Sequence, residues 1–364
     1  MFSIATIQSL ASDALVASEV PSTDEGLRSL AARGMNSLSF FLSSITPGAW
    51  VPRIVLVRAG REMLGALLLK ERRIGRIPSG LLYGDATLDN LLISSERYRE
   101  AVFETALGHM LSCPGVRGIR LAIPPNGYEA RCLPAICEHH RFAMFSRAST
   151  NHLSLPLQPV YEQFVDSLGS KTRRNVRYYR RRAETLGHQY VHRMDDAQFQ
   201  SAITSLLSKG VTGASHEGVR RALRIFAAVE RPIFSGLRGR DGEWLAVLGG
   251  WYDAHRAVLF LQMNAELQRP TESLSLVLRA HFIENLIAEG VRSLLFWAGV
   301  GLPFSRYCTP VPTQRIYLDS MSIGWRATRS IVKWSASLLP TQASGITEWI
   351  VPMSQPEKSE NGPL

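Results

Sequence analysis

One order of elements is written into this sequence twice, and that repetition limits the folds open to it. In the first half, Ile54-Val55-Leu56-Val57 reads as a strand, Ala59-Gly60-Arg61-Glu62 as a turn and Met63 to Leu69 as a second strand. A looser stretch follows, holding Pro78, Gly80 and Gly84. Ser95 to Leu111 then places Tyr98, Val102, Phe103, Ala106, Leu107 and Met110 at helical spacing. Val116 to Ile123 is a short strand closed by Pro124-Pro125-Asn126-Gly127, with a short helix at Tyr128–His139 and a strand at Ala143–Leu155 after it. The second half repeats the order about 180 residues later: strand Pro232–Arg238, turn Gly239-Arg240-Asp241-Gly242, strands Leu245–Tyr252 and Ala257–Met263. A long helix follows from about Glu272 to Glu289, stopped by Gly290, and then a buried-looking strand, Arg292–Trp297. Two halves of one architecture are expected, meeting near Pro156–Pro159.

The 364 residues are 45% hydrophobic and 20% charged, enough apolar material for a sizeable core and too much for general disorder. Lys and Arg number 41 against 31 Asp and Glu, so the +10 balance favours an anionic partner: a phosphate-bearing ligand, nucleic acid or a membrane surface. Cys113, Cys132, Cys137 and Cys308 fit neither a C-x-x-C pair nor a disulfide framework, which points to reduced thiols and the cytoplasm. No apolar run reaches the ~18–20 residues of a spanning helix, and Met1–Val20 is a poor signal peptide. After Arg329 the composition changes. Trp325–Leu339 reads as a segment packed on the domain or a short surface helix, and Ser354–Leu364 as a frayed tail.

The most unusual segment runs from Lys171 to Arg182, where seven of twelve residues are basic and none is acidic. At ~100° per residue, Arg173, Arg174, Arg177, Arg180 and Arg181 share an arc of ~120°. Phe164, Val165, Leu168, Thr172, Val176, Tyr179, Ala183 and Leu186 lie opposite. The pattern describes an amphipathic helix broken at Gly169-Ser170, with Ser170 capping its second part. Like charges at i,i+4 repel by a few tenths of a kcal/mol, and arginines early in a helix oppose its dipole. A bound anion offsets both costs; a merely solvated face does not. Stacking aromatics are limited to Tyr178 and Tyr179, so nucleic-acid recognition is the rival reading.

Phe164-x-x-x-Leu168-x-x-Lys171-Thr172-Arg173-Arg174-Asn175-Val176-Arg177, ending in Leu186-Gly187, resembles the start of the acetyltransferase domain of CelD-like cellulose-biosynthesis proteins. These belong to the GNAT acyltransferase superfamily and are related to the FemAB peptidyltransferases. The later order agrees: turn Gly239-x-x-Gly242, Gly249-Gly250-Trp251-Tyr252, a further strand, a long helix and Leu294-Leu295-Phe296-Trp297. The resemblance covers roughly residues 156–320, and 50–155 by order alone. It implies an α/β (α+β) GNAT-like fold in two tandem lobes with mixed central sheets: an N-terminal lobe over 1–155, a C-terminal acetyltransferase domain over 156–330, and a tail over 331–364.

The resemblance further implies an N-acyltransferase using acetyl-coenzyme A or another acyl-coenzyme A, with an amine as acceptor. Gln268, Arg269, Thr271 and Ser273 stand where relatives place a glycine-containing pyrophosphate loop; here the stretch has no glycine. Where relatives carry Gly-x-x-x-Tyr-Lys, this chain has Gly301-Leu302-Pro303-Phe304-Ser305-Arg306-Tyr307. Arg306 takes the lysine position, and Tyr307 is the candidate general acid, or else an interfacial tyrosine. Arg173, Arg174, Arg177 and Arg181 are the candidate anion contacts. A backbone amide between Phe260 and Asn264 would polarise the donor carbonyl. No zinc spacing and no Gly-x-Ser-x-Gly context is present. Two alternatives stay open: a FemAB-like transferase taking aminoacyl-tRNA on the basic helix, and a catalytically degenerate GNAT-fold binding protein in polysaccharide or envelope biosynthesis.

Overall fold

The computed structural model describes residues 15–31, 38–86, 91–210, 215–253, 256–265, 269, 271–297, 299–322 and 325. They form two compact units. One holds the described residues up to Ser149 and those from Pro312 on; the other runs from Thr150 to Val311. Gln268 and the segment beyond Trp325, including the expected tail, lie outside the described residues.

The first unit begins with β1 (Leu15–Val20), α1 (Glu25–Ala31), α2 (Leu38–Ser43), β2 (Trp50–Ala59) and β3 (Glu62–Ile74). It continues with β4 (Ile77–Asp85), β5 (Leu92–Ser94), α3 (Arg99–Ser112), β6 (Gly118–Ile123), α4 (Tyr128–His139) and the first part of β7 (Phe142–Pro156). The unbroken apolar run at Ile54–Val57 arises because β2 is covered on both faces. Val55 and Val57 join the core against α3, while Ile54 and Leu56 join a smaller cluster with Leu27, Leu38 and Phe41. The stretch expected to be loose is strand β4. Its glycines serve close approach rather than turning: at Gly80 (φ +74°) a Cβ would lie 2.0 Å from the Gly115 carbonyl, and at Gly84 it would lie 2.4 Å from Leu91.

The second unit takes the rest of β7, then α5 (Tyr161–Ser167), α6 (Ser170–Thr185), β8 (Gln189–Val191), α7 (Asp196–Ser208) and α8 (His216–Phe226). After them come β9 (Pro232–Arg238), β10 (Trp244–Asp253), β11 (Arg256–Asn264), α9 (Leu274–Ala288) and β12 (Ser293–Phe296). The chain ends its described strands with β13 (Thr309–Ser320), whose residues from Pro312 on belong to the first unit. Gly290 takes φ +78° just past α9, the C′ position expected of it. Ser170 is not the cap of α6. The N-cap is Gly169, and no side-chain oxygen caps it.

The two units share one topology. In the first, antiparallel β2, β3 and β4 lead through α3 to β6, which pairs parallel with β4. In the second, antiparallel β9, β10 and β11 lead through α9 to β12, which pairs parallel with β11. The next strand along is exchanged. β6 is flanked by β13 from the far end of the chain, and β12 by the second half of β7.

Candidate functional site

The parallel pairs of the two units differ, and the difference locates the site. In the first unit the β4–β6 ladder stays closed to the ends of its strands, from Leu81↔Gly118 to Asp85↔Ala122, with the Ala86 N–H reaching the Ala122 carbonyl at 2.8 Å. In the second unit the β11–β12 ladder stops at Leu259↔Phe296, closed by a 2.9 Å bond from the Trp297 N–H to the Leu259 carbonyl. β11 nevertheless runs on to Asn264. A bulge lies at this point, because Gly250 pairs with Leu259 and Gly249 with Leu261, leaving Phe260 extra. Beyond it Leu261 and Met263 face β10, in phase with the Ala265 N–H bonded to Leu245 at 2.8 Å. Alternation therefore turns the Phe260 carbonyl and the Gln262 N–H towards the gap that β12 leaves, while the Phe260 N–H, opposite the Leu259 carbonyl in the same trans peptide, points to β10. Gly250 permits the close packing here, since a Cβ on it would stand 1.9 Å from the Val258 carbonyl.

Each face of the gap has its own chemistry. On the face of α7 and α8, the rings of Trp251, Phe260 and Trp297 lie 5.8 to 6.5 Å apart at tilted angles, and the His152 ring lies 4.4 Å from that of Trp297, also tilted. The Arg221 guanidinium, from α8, lies 5.9 Å from the Phe260 ring centre. On the face of α9, Gln262 accepts from the Arg279 Nε at 2.6 Å and donates to the Ser275 hydroxyl at 3.3 Å. Arg279 also covers the Phe296 ring at 5.9 Å. Burial pushes the nearby Cys308 thiol up to about 11, although the Arg279 charge acts against the shift.

Of the expected donor residues, Arg269, Thr271 and Ser273 lie at or just before the start of α9. Ser273 is its N-cap, in the left-handed region at φ +49° and without a side-chain cap, so the amides of Leu274 and Ser275 have no intrahelical acceptor. Arg269 points a guanidinium nitrogen at Glu272, 3.4 Å away, and Glu272 also binds the His188 Nε2 at 2.8 Å. Thr271 is exposed. Tyr307 is engaged elsewhere in the unit: its hydroxyl accepts the Gly169 N–H at 2.9 Å and donates to the Thr172 hydroxyl at 3.0 Å. Arg306, its neighbour in the same 3-10 turn, is exposed.

Helix α6 packs most of its apolar side, with Thr172, Val176 and Ala183 buried, but Leu186, expected on that side, is exposed. Its arginines do not form one free face. Arg180 is turned inward, bonded to Glu284 at 2.6 Å and placed over the Tyr161 ring at 5.1 Å. Arg173 and Arg177 share Asp166, at 3.5 and 3.1 Å. Arg174 and Arg181 are exposed. Beside Arg180, His281 stacks on Tyr190 at 4.8 Å; burial first, then the Arg180 charge, lowers its pKa to about 4. Sequence reading missed His152, Arg221 and Arg279. The aromatic wall had a visible signal in Trp251 after the paired glycines and Trp297 after the strand Leu294–Phe296.

Neither a protein-family model nor a curated protein sequence matches this chain. Solved structures do. FemX superposes at a TM-score of 0.55 with 9% identity, covering 82% of this chain and 96% of its own. L-PGS from Bacillus licheniformis gives 0.52 with 13% identity, covering 90% and 96%. A conserved protein of unknown function from Bacteroides thetaiotaomicron gives 0.52 with 12% identity, covering 84% and 100%. The fold is a tandem GNAT-like fold with mixed sheets, as the resemblance implies, and its two halves follow the repeated order of elements. Among the described residues no helix is long and apolar enough to cross a membrane, and no three His, Cys, Asp or Glu are grouped to hold a metal ion.

Proposed function

We propose that this chain is an N-acyltransferase whose reacting centre is the gap between β11 and β12. The observation that carries the reading is the bulge at Phe260, where the parallel ladder ends and the Gln262 N–H beyond it faces the gap. In the reaction an amine nitrogen attacks the donor carbonyl carbon, a C–N bond forms, and charge builds on the carbonyl oxygen. The Gln262 amide would receive that charge in a fixed position. The C–S bond of a thioester then breaks, and the proton lost by the amine ends on the departing thiolate. Holding the two reactants together supplies much of the acceleration, so no fixed catalytic triad is needed.

Acyl-coenzyme A is the preferred donor. Its diphosphate would meet the free amides of Leu274 and Ser275 and the Arg269 charge at the start of α9. The CelD-like resemblance of α6 and a place in the cytoplasm belong to this reading, while a role in polysaccharide or envelope biosynthesis belongs to the alternative of a catalytically degenerate binding protein. A second reading takes aminoacyl-tRNA as donor, favoured by the exposure of Arg174 and Arg181 and by the likeness in fold to FemX. The deciding experiment is thermal unfolding with acetyl-coenzyme A and, separately, total tRNA, together with thiol release from acetyl-coenzyme A over a panel of amines. A true donor at a hundredfold excess over its Kd adds about 2.7 kcal/mol of stability. If neither ligand stabilises the protein, the acyltransferase reading falls and a GNAT-fold binding protein takes its place.

A further inference from the structure

We infer that the first unit docks on an anionic lipid bilayer through the tip of its β3–β4 hairpin. This surface lies in the other unit from the β11–β12 gap, and its role does not depend on the acyltransferase reading. Gly75, at φ +62°, and Arg76 form a two-residue turn between the paired Ile74 and Ile77. These isoleucines are 51% and 72% exposed. The β2–β3 ladder reaches only to Trp50↔Arg72, and the β4–β6 ladder begins only at Leu81↔Gly118, so the tip projects past both flanking strands. Its base is fixed from inside. The buried Ser79 hydroxyl donates to the Arg72 carbonyl at 2.7 Å, and buried Glu71 accepts the Gly80 N–H at 2.7 Å. The exposed isoleucines therefore sit on a held wedge, where apolar surface left in water marks a contact site.

Cations collar the tip. Arg72 and Arg73 precede it, half-buried, Arg76 is exposed within it, and from Arg72 to Gly84 the sequence holds no acid. Glu71 is paired with Arg53. The adjoining end of the sheet adds to the collar. The Arg117 N–H donates to the Gly80 carbonyl at 2.8 Å, the Arg117 carbonyl accepts the Ser320 N–H at 2.9 Å, and the Met321 N–H donates to the Arg141 carbonyl at 3.3 Å. Arg117, Arg141 and Met321 are all exposed. Half-buried Asp319 and exposed Glu138 are the acids near them among the described residues. An aliphatic tip with arginines behind it matches the depth order of a bilayer, acyl chains inside and phosphates above them. A nucleic acid would reward the arginines but not the isoleucines, because bases stack on aromatic rings. A protein groove would take the isoleucines, but a convex tip with a collar of mostly one sign suits a broad anionic surface.

The test is flotation of the full chain with vesicles of phosphatidylcholine alone and with vesicles of equal parts phosphatidylcholine and phosphatidylglycerol. Binding is expected to the mixed vesicles only, and it should weaken as salt rises. Ile74→Ser with Ile77→Ser should weaken it by about tenfold or more while thermal unfolding stays unchanged, since both side chains are exposed. Arg76→Gln with Arg141→Gln should weaken it by about tenfold and flatten its salt dependence. Sedimentation velocity without lipid, run on the same proteins, tests for self-association. Absence of binding, or equal binding to the two kinds of vesicle, overturns the inference. Binding that the isoleucine variant leaves intact assigns the charge to a soluble polyanion, and self-association that this variant abolishes assigns the tip to a second copy of the chain; either result removes the bilayer.

Discussion

Replacing Tyr307 by Phe takes away one hydroxyl that serves two partners, the Gly169 amide and the Thr172 hydroxyl. The Gly169 amide can turn to water, so the expected loss is about 1 kcal/mol, read from denaturant unfolding at an unchanged m-value. A general acid would behave differently. Its removal costs about 10²- to 10⁴-fold in kcat, so a fall of that size with full stability would return Tyr307 to the chemistry. His281 makes a second prediction at this scale. Its pKa is lowered to about 4 in the folded state against 6.5 for the free side chain. Between those values the unfolded chain binds the proton and the folded one does not. Stability is therefore complete above about pH 6.5 and falls as pH drops towards 4, by up to about 3 kcal/mol. His281→Gln should flatten that part of the stability profile, as followed by urea titrations at stepped pH. An equal acid loss in the variant would assign the effect to other groups.

At the scale of elements, α6 separates charge that holds the fold from charge left for a partner. Arg180→Ala strips a half-buried partner from Glu284 and a cover from Tyr161, and is expected to cost about 1–2 kcal/mol. Arg174→Gln with Arg181→Gln should leave stability within about 0.5 kcal/mol. If tRNA binds this helix, the double variant should also lower the salt slope of binding by about 2, one for each lost phosphate contact; an unchanged slope would place the tRNA elsewhere. The helix itself was legible, because its period, its basic run and its break at Gly169 are all local. The inward turn of Arg180 was not, since Glu284 lies a hundred residues away. Similar limits hold elsewhere. The strands β9–β11 and the stop at Gly290 are written in local alternation and glycine placement. β4 was hidden because Gly80 and Gly84, read as breakers, answer to Gly115 and Leu91 across the fold. α7 was announced by a signal left unused, the reciprocal hydrogen bonds of Asp195 and Gln198 at its start. In the candidate site the Phe260 segment could be named from order alone. Its aromatic wall and Arg221 needed the register of β10 on β11 before they became neighbours.

At the scale of the whole molecule, the exchanged strands decide what can fold alone. β13 belongs by order to the second repeat, yet from Pro312 on it completes the first unit, where it pairs with β6 from Gln314↔Ile123 to Asp319↔Gly118. Ile316 and Leu318 are 1% and 0% exposed within that unit's core. A fragment ending at Pro156 therefore lacks two fully buried side chains and leaves one edge of β6 unpaired. Losing burial of this kind costs about 2–5 kcal/mol for each large apolar side chain, close to the whole stability of an ordinary domain. Fragment 1–156 is expected to show weak, uncooperative thermal unfolding and poor dispersion of its amide NMR signals. Joining residues 309–322 to its C-terminus through a flexible linker should restore a cooperative transition, and the same graft with Ile316→Asp and Leu318→Asp should not. Cooperative unfolding of the bare fragment would show that the strand exchange is dispensable to the first unit. A response confined to the unmutated graft would show that this unit reads sequence from both ends of the described chain before it can close.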